Sequence, residues 1–128
     1  MYRPALILGS LFALLAVILG AFGAHTLKEI VSPTQLAIFE KGVTYQFYHS
    51  LGLLASGILF QSFSKSLIKL ATVFFALGIL LFSGSLYLMV GLAASGGSIG
   101  AAGIITPIGG LCFIGAWALL FSAFLSKK

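Results

Sequence analysis

The sequence predicts an all-α protein: an integral membrane, antiparallel four-helix bundle with the N and C termini cytoplasmic. Three observations carry this expectation. The composition is 60% hydrophobic and only 7% charged, whereas a soluble domain carries roughly a quarter charged residues to keep its surface wetted. Apolar runs recur along the 128 residues, each long enough to supply the ~20 residues that a helix needs to cross ~30 Å of hydrocarbon. The basic residues stand singly or in pairs at the ends of those runs, a sign of orientation rather than of a nucleic-acid-binding stripe, despite a formal net charge of +5. The same composition excludes an ordinary globular enzyme and a disordered tail, and 1 Cys excludes a disulfide scaffold or a zinc ribbon.

The first span covers about residues 5–24, with Ser10 its one polar side chain. Arg3 ahead of it and Ala21 with Gly23 near its end also fit a cleaved signal peptide, but the run outlasts an h-region of ~7 to 15 residues and further runs follow. An interfacial segment at about 26–42 comes next. In it, Ser32, Pro33, Thr34 and Gln35 spell a capping box with Pro at the first helical position, so a helix is expected to start at Pro33. Leu36, Phe39 and Val43 then share one face while Glu40 and Lys41 lie elsewhere, as in an interfacial helix. Gly42 is either a joint or the point where this helix continues into the second span, about 43–63.

That second span is polar in its first two turns and uniformly apolar afterwards. The third covers about 67–92 and the fourth about 104–125, separated by an uncharged Gly, Ala and Ser loop. Together they make a single domain, 1–128. Arg3, Lys65, Lys69, Lys127 and Lys128 fall on one side and Lys28 and Lys41 on the other, which puts both termini in the cytoplasm. The expected location is the plasma (inner) membrane, multi-pass.

Small residues at spacings of three and four mark where helices approach in lipid. Gly9, Ala13, Ala16, Gly20 and Ala24 supply such a stripe on the first span, and Gly42, Tyr45, His49, Gly52 and Ser56 on the second. Gly84, Tyr87 and Gly91 do so on the third, and Gly109, Cys112, Ala116 and Ala123 on the fourth. Trp117 is expected to fill the bundle core, and Lys127 and Lys128, like Arg3, to anchor helix ends at anionic headgroups.

The few polar residues within the spans fall on the outer side. His25 ends the first span, and Tyr45, Gln46, Tyr48 and His49 open the second. Ser83, Ser85 and Tyr87 belong to the third and Thr106 to the fourth. Polar groups in a membrane are costly unless paired, so this level is a candidate ligand-binding site. Tyr45 and Gln46, four and three residues before His49, are expected to reach its imidazole. The plain alternative is a satisfied polar layer that fixes helix register. No metal site and no cofactor are expected: two histidines invite haem, but Glu29 and Glu40 stand apart in a loop and Cys112 is remote. Without an acid in any span to orient a base, no catalytic residue is assigned and the protein is not expected to be an enzyme.

Several segments resemble a known family, the small membrane proteins with domain of unknown function 423, which include a eukaryotic branch called transmembrane protein 256. They are Gly20 to His25 (GAFGAH) with Leu27, Tyr45, Gln46 and His49 in a Y-Q-x-x-H setting, Phe82 to Tyr87 (FSGSLY), and Thr106 to Gly110 (TPIGG) followed by Trp117. They come in the family's order over nearly the whole chain, with Thr26 standing where a small apolar residue is usual. The resemblance implies a four-helix membrane protein and brings no established activity.

The expected function is a small multi-pass membrane protein whose outer polar pocket binds or conducts a small polar solute or a lipid headgroup. His49, Tyr45 and Gln46 would be central, His25 the mouth, and Ser83, Ser85 and Thr106 the opposite wall. The alternative is a structural or accessory subunit of a larger membrane complex. The expected partners are the lipid bilayer and either further copies, in a homo-oligomer, or another membrane protein, with no nucleic acid.

Overall fold

The computed structural model describes residues 1–126, and every regular element among them is helical. Lys127 and Lys128, counted in the orientation argument above, lie outside the described residues. Helix α1 is Arg3–His25, α2 Pro33–Leu59, α3 Lys65–Ala94 and α4 Ala102–Leu125. A short 3-10 turn, Leu27–Glu29, follows α1. Three helical stretches, Arg3–Glu29, Lys65–Ala94 and Ala102–Leu125, are long and apolar enough to cross a membrane.

The capping box forms as the sequence demands. Gln35 N–H donates to Ser32 Oγ at 3.2 Å and Ser32 N–H to Gln35 Oε1 at 3.1 Å, with Pro33 next in line. From there α2 runs unbroken through Gly42, so the segment expected at the interface and the second span are one helix of 27 residues. It ends at Leu59, short of the expected Phe63, and the chain turns over Phe60–Ser62 into α3. Within α3, residues Ile79–Ser83 form a π turn, in which Gly84 N–H donates to the Ile79 carbonyl. Such a turn inserts one extra residue into the helix and resets the phase of everything beyond it.

Consecutive helices pack antiparallel. At one end of the α1–α2 pair Tyr2 N–H donates to the Gly57 carbonyl at 2.8 Å, and at the other Gly23 lies against the Phe39 ring. Between α2 and α3, Gly52 meets Phe75 and Ser83 Oγ donates to the Gly42 carbonyl at 2.7 Å. Between α3 and α4, a side chain at Gly109 would collide with the backbone of Phe82, and one at Gly78 with the ring of Phe113. The main core, with Leu53, Ile68, Phe75, Ile79, Phe113, Ala116 and Leu120, lies among α2, α3 and α4. A smaller cluster of Leu27, Phe39 and Val90 closes the far end.

Two of the expected small-residue stripes hold, on α2 and α4, where Gly42, Gly52, Ser56, Gly109, Ala116 and Ala123 are all buried. The other two need correction. On α1 the buried positions are Ala5, Gly9, Ala16 and Gly23, while Ala24 is exposed. On α3, Gly84 and Gly91 have nothing near the position of a side chain and Gly78 makes the contact instead. The reason is which residue of the stripe meets a neighbour: Tyr87 packs against Gly42 of α2, while the two glycines flanking it face open space.

Candidate functional site

Helix α2 carries most of the candidate residues, and their angular positions divide them. Successive residues turn by about 100° around a helix, so Tyr45 and His49 lie about 40° apart while Gln46 lies about 60° from His49 on the other side. Gln46 therefore faces α1 and α3 rather than the imidazole expected for it. Its Nε2 donates to the Phe12 carbonyl at 2.9 Å and its Oε1 accepts from the Tyr87 hydroxyl at 2.8 Å. Ser50 and Ser56 donate back to the carbonyls of Gln46 and Gly52.

A second polar pair ties α3 to α4. Ser85 Oγ and Thr106 Oγ1 are 2.6 Å apart, and Ser85 also donates to the Phe82 carbonyl at 2.9 Å. Ser83, buried in the π turn, is committed to Gly42. No side-chain nitrogen or oxygen among the described residues is both buried and without a partner. His25 and Tyr48, also candidates, are exposed, His25 at the end of α1 and Tyr48 on the outer face of α2. The polar level foreseen as one site is thus a set of separate helix-to-helix ties, with two of its members at the surface.

His49 and Tyr45 occupy a different setting, an aromatic groove of about 570 Å³ between α2, α3 and α4. The imidazole lies flat on Phe113, with ring centroids 3.5 Å apart and planes at 11°. Tyr45 stacks on Phe82 at 4.6 Å. Trp117, expected in the core, is 47% exposed and stands edge-on to Phe75 at the groove's rim, with centroids 4.9 Å apart. The reason is its neighbour: Ala116 takes the inward position on α4, which turns the next residue about 100° away. Pro107, Gly110, Leu111 and Ile114 complete the wall, and the exposure of Leu111 and Ile114 makes the groove open sideways.

His49 supplies a polar atom that is free to act there. His49 Nδ1 is 2.6 Å from the Tyr45 carbonyl oxygen, which can only accept, so Nδ1 carries the hydrogen and Nε2 of the neutral ring is left as an acceptor. Nε2 has no hydrogen-bond partner among the described residues, and since no buried atom there is left unpaired, it is accessible. The groove thus joins apolar and aromatic walls to the polar groups of His49 and Tyr45. Sequence reasoning named Tyr45 and His49 but missed Phe82, Gly110 and Phe113, whose role depends on how α3 and α4 are rotated. Among the described residues, no three of His, Cys, Asp or Glu come together to hold a metal ion.

Comparison with known proteins supplies a relationship. The family model described as "Protein of unknown function (DUF423)" matches residues 19–110, a stretch that includes every candidate residue above except Leu111, Phe113, Ile114 and Trp117. A UPF0382 membrane protein of Staphylococcus saprophyticus is 47% identical over 115 residues, covering 90% of this chain and 91% of that protein. The UPF0382 membrane protein YwdK of Bacillus subtilis is 42% identical over 92% of this chain and 93% of its own length. The UPF0382 inner membrane protein YgdD of Escherichia coli is 36% identical over 98% of this chain and 92% of its own. No solved structure matches the chain.

Proposed function

The chain belongs to the DUF423 family of multi-pass membrane proteins, and from that premise we propose that it binds a lipid-phase ligand in the groove beside His49. The ligand is a long apolar molecule with one hydrogen-bond donor, such as a hydroxyl. The observation that supports this is the pairing of an aromatic groove, open sideways toward lipid, with an accessible acceptor at Nε2. A cleft of this size, mostly apolar with few polar groups, suits a small-molecule ligand. The donor is held by His49 and the apolar body lies along Phe82, Phe113 and Trp117.

Binding is better supported than conduction. Gln46, Ser83, Ser85, Tyr87 and Thr106 spend their polar atoms on ties between helices, leaving few partners for a hydrated solute. No catalytic role is proposed for these residues.

In the membrane we assign all four helices as crossing the inner (plasma) membrane in an antiparallel bundle with both termini cytoplasmic. Helix α2 has 27 residues, enough for a span. Its buried polar groups Gln46, Ser50 and Ser56 are hydrogen-bonded, which offsets the cost of holding them in hydrocarbon. Arg3, Lys65 and Lys69 at one end, against Lys28 and Lys41 at the other, support the orientation.

The test is native mass spectrometry of the protein released gently from membranes. Gly110 lines the groove, and a Cβ there would meet only the Phe82 ring, at 3.9 Å, so Gly110→Phe is chosen to place its ring in the groove rather than against backbone. The wild type is expected to carry a reproducible small-molecule mass that Gly110→Phe lacks and the control Gly91→Phe keeps. Bare wild type, or an adduct indifferent to Gly110→Phe, rejects the reading. A fixed-ratio complex with another membrane protein and no small molecule favours an accessory subunit.

A further inference from the structure

We propose a second ligand site at the opposite end from His25: a groove that holds the headgroup phosphate of an anionic phospholipid between Lys65 and Lys69. The groove, about 550 Å³, runs along the start of α3 past Tyr2, Ser66, Lys69, Leu70 and Val73. Its two halves differ in chemistry. Ser66 and Lys69 make the polar end, while Leu70 and Val73, 45% and 50% exposed, continue it as an apolar strip along the helix. That is the outline of an amphipathic molecule with a charged head and a hydrocarbon chain.

Charge selects the head. The Lys65 and Lys69 ammonium groups both stand 5.9 Å from the centroid of the same Phe60 ring, within cation–π reach. Phe60 is itself stacked on Tyr2, with centroids 4.8 Å apart, which places Arg3 next along the chain. Two cations gathered over one ring repel each other, and an anion between them offsets that repulsion. No acidic side chain lies near, because the 2 acids are Glu29 and Glu40, at the far end of α1 and α2. A phosphodiester supplied by the bilayer meets the need, and the chain behind it covers Leu70 and Val73. A zwitterionic lipid fits less well, since its ammonium would add a third cation to the pair.

The experiment is native mass spectrometry after exchange into mixed micelles with equal phosphatidylglycerol and phosphatidylcholine, and separately with inorganic phosphate. The wild type is expected to retain phosphatidylglycerol over phosphatidylcholine by about tenfold, as two basic residues at a membrane surface allow. Lys65→Gln with Lys69→Gln brings the ratio near parity. Lys65→Arg with Lys69→Arg keeps it, and Gly110→Phe leaves it unchanged, which separates this site from the groove at His49. Equal retention of the two lipids by the wild type overturns the proposal even if the glutamine variant does not fold. So does an unaltered ratio in a folded glutamine variant. Displacement of the lipid by millimolar inorganic phosphate assigns the site to free anions and overturns the lipid as its occupant.

Discussion

A glutamine buried in the middle of a helix is a liability until both ends of its amide are occupied. Gln46 meets that condition by joining three helices: its amide reaches the Phe12 carbonyl on α1 and takes the Tyr87 hydroxyl from α3. Hydrogen bonds between membrane helices contribute about 0.6 kcal/mol on average and up to about 1.7. A double-mutant cycle with Gln46→Leu and Tyr87→Phe, read by unfolding in detergent, is expected to return a coupling energy in that range; strictly additive losses would contradict the tie. The sequence made Gln46 legible as a polar group needing a partner but assigned the wrong one, because spacing along one helix says nothing about which neighbouring helix lies on each side. The Tyr45–His49 association was legible, since only about 40° separates them, although the imidazole meets the Tyr45 carbonyl and not its hydroxyl. Trp117 and the groove were not legible: both depend on the rotation of α4, which Ala116 and Gly109 set through contacts distant in sequence.

Among the elements, the capped start of α2 was easiest to read. The capping box before Pro33 is a local hydrogen-bond pattern and forms where four residues dictate. The π turn at Ile79–Ser83 was invisible to a reading that assumes one period throughout. Its position is informative, because it lies where α4 comes closest and Gly109 abuts the Phe82 backbone. Backbone cannot yield as a flexible side chain can. Gly109→Ala is therefore expected to force α3 and α4 apart and lower the midpoint of thermal unfolding sharply. Gly84→Ala and Gly91→Ala meet open space and are expected to be neutral or to stabilise by up to about 1 kcal/mol, the helix-propensity gain of Ala over Gly. Equal effects at all three positions would mean that the close approach at Gly109 is not maintained in solution.

For the whole molecule, the pairwise antiparallel order of helices puts Arg3, Lys65 and Lys69 at one end and the 3-10 turn with the capped start of α2 at the other. The sequence made this arrangement legible because both the apolar runs and the charges between them are contiguous features. With Cys112 replaced by Ser, a cysteine at Thr34 is expected to react with a membrane-impermeant maleimide added outside intact cells, and one at Ser66 only after the membrane is opened. The reverse pattern would invert the topology proposed above. The placement of the 2 acids has an electrical consequence. Glu29 and Glu40 offset the charges of Lys28 and Lys41 at their end, whereas the end with Arg3, Lys65 and Lys69 has no acidic side chain among the described residues. The molecule is therefore polarised along its long axis. In a cell whose interior is negative, each elementary charge moved through 100 mV changes the energy by about 2.3 kcal/mol. In the topology proposed above, an energised membrane thus holds the basic end at the inner face, so the respiring cell itself becomes one of the forces that keep this protein upright.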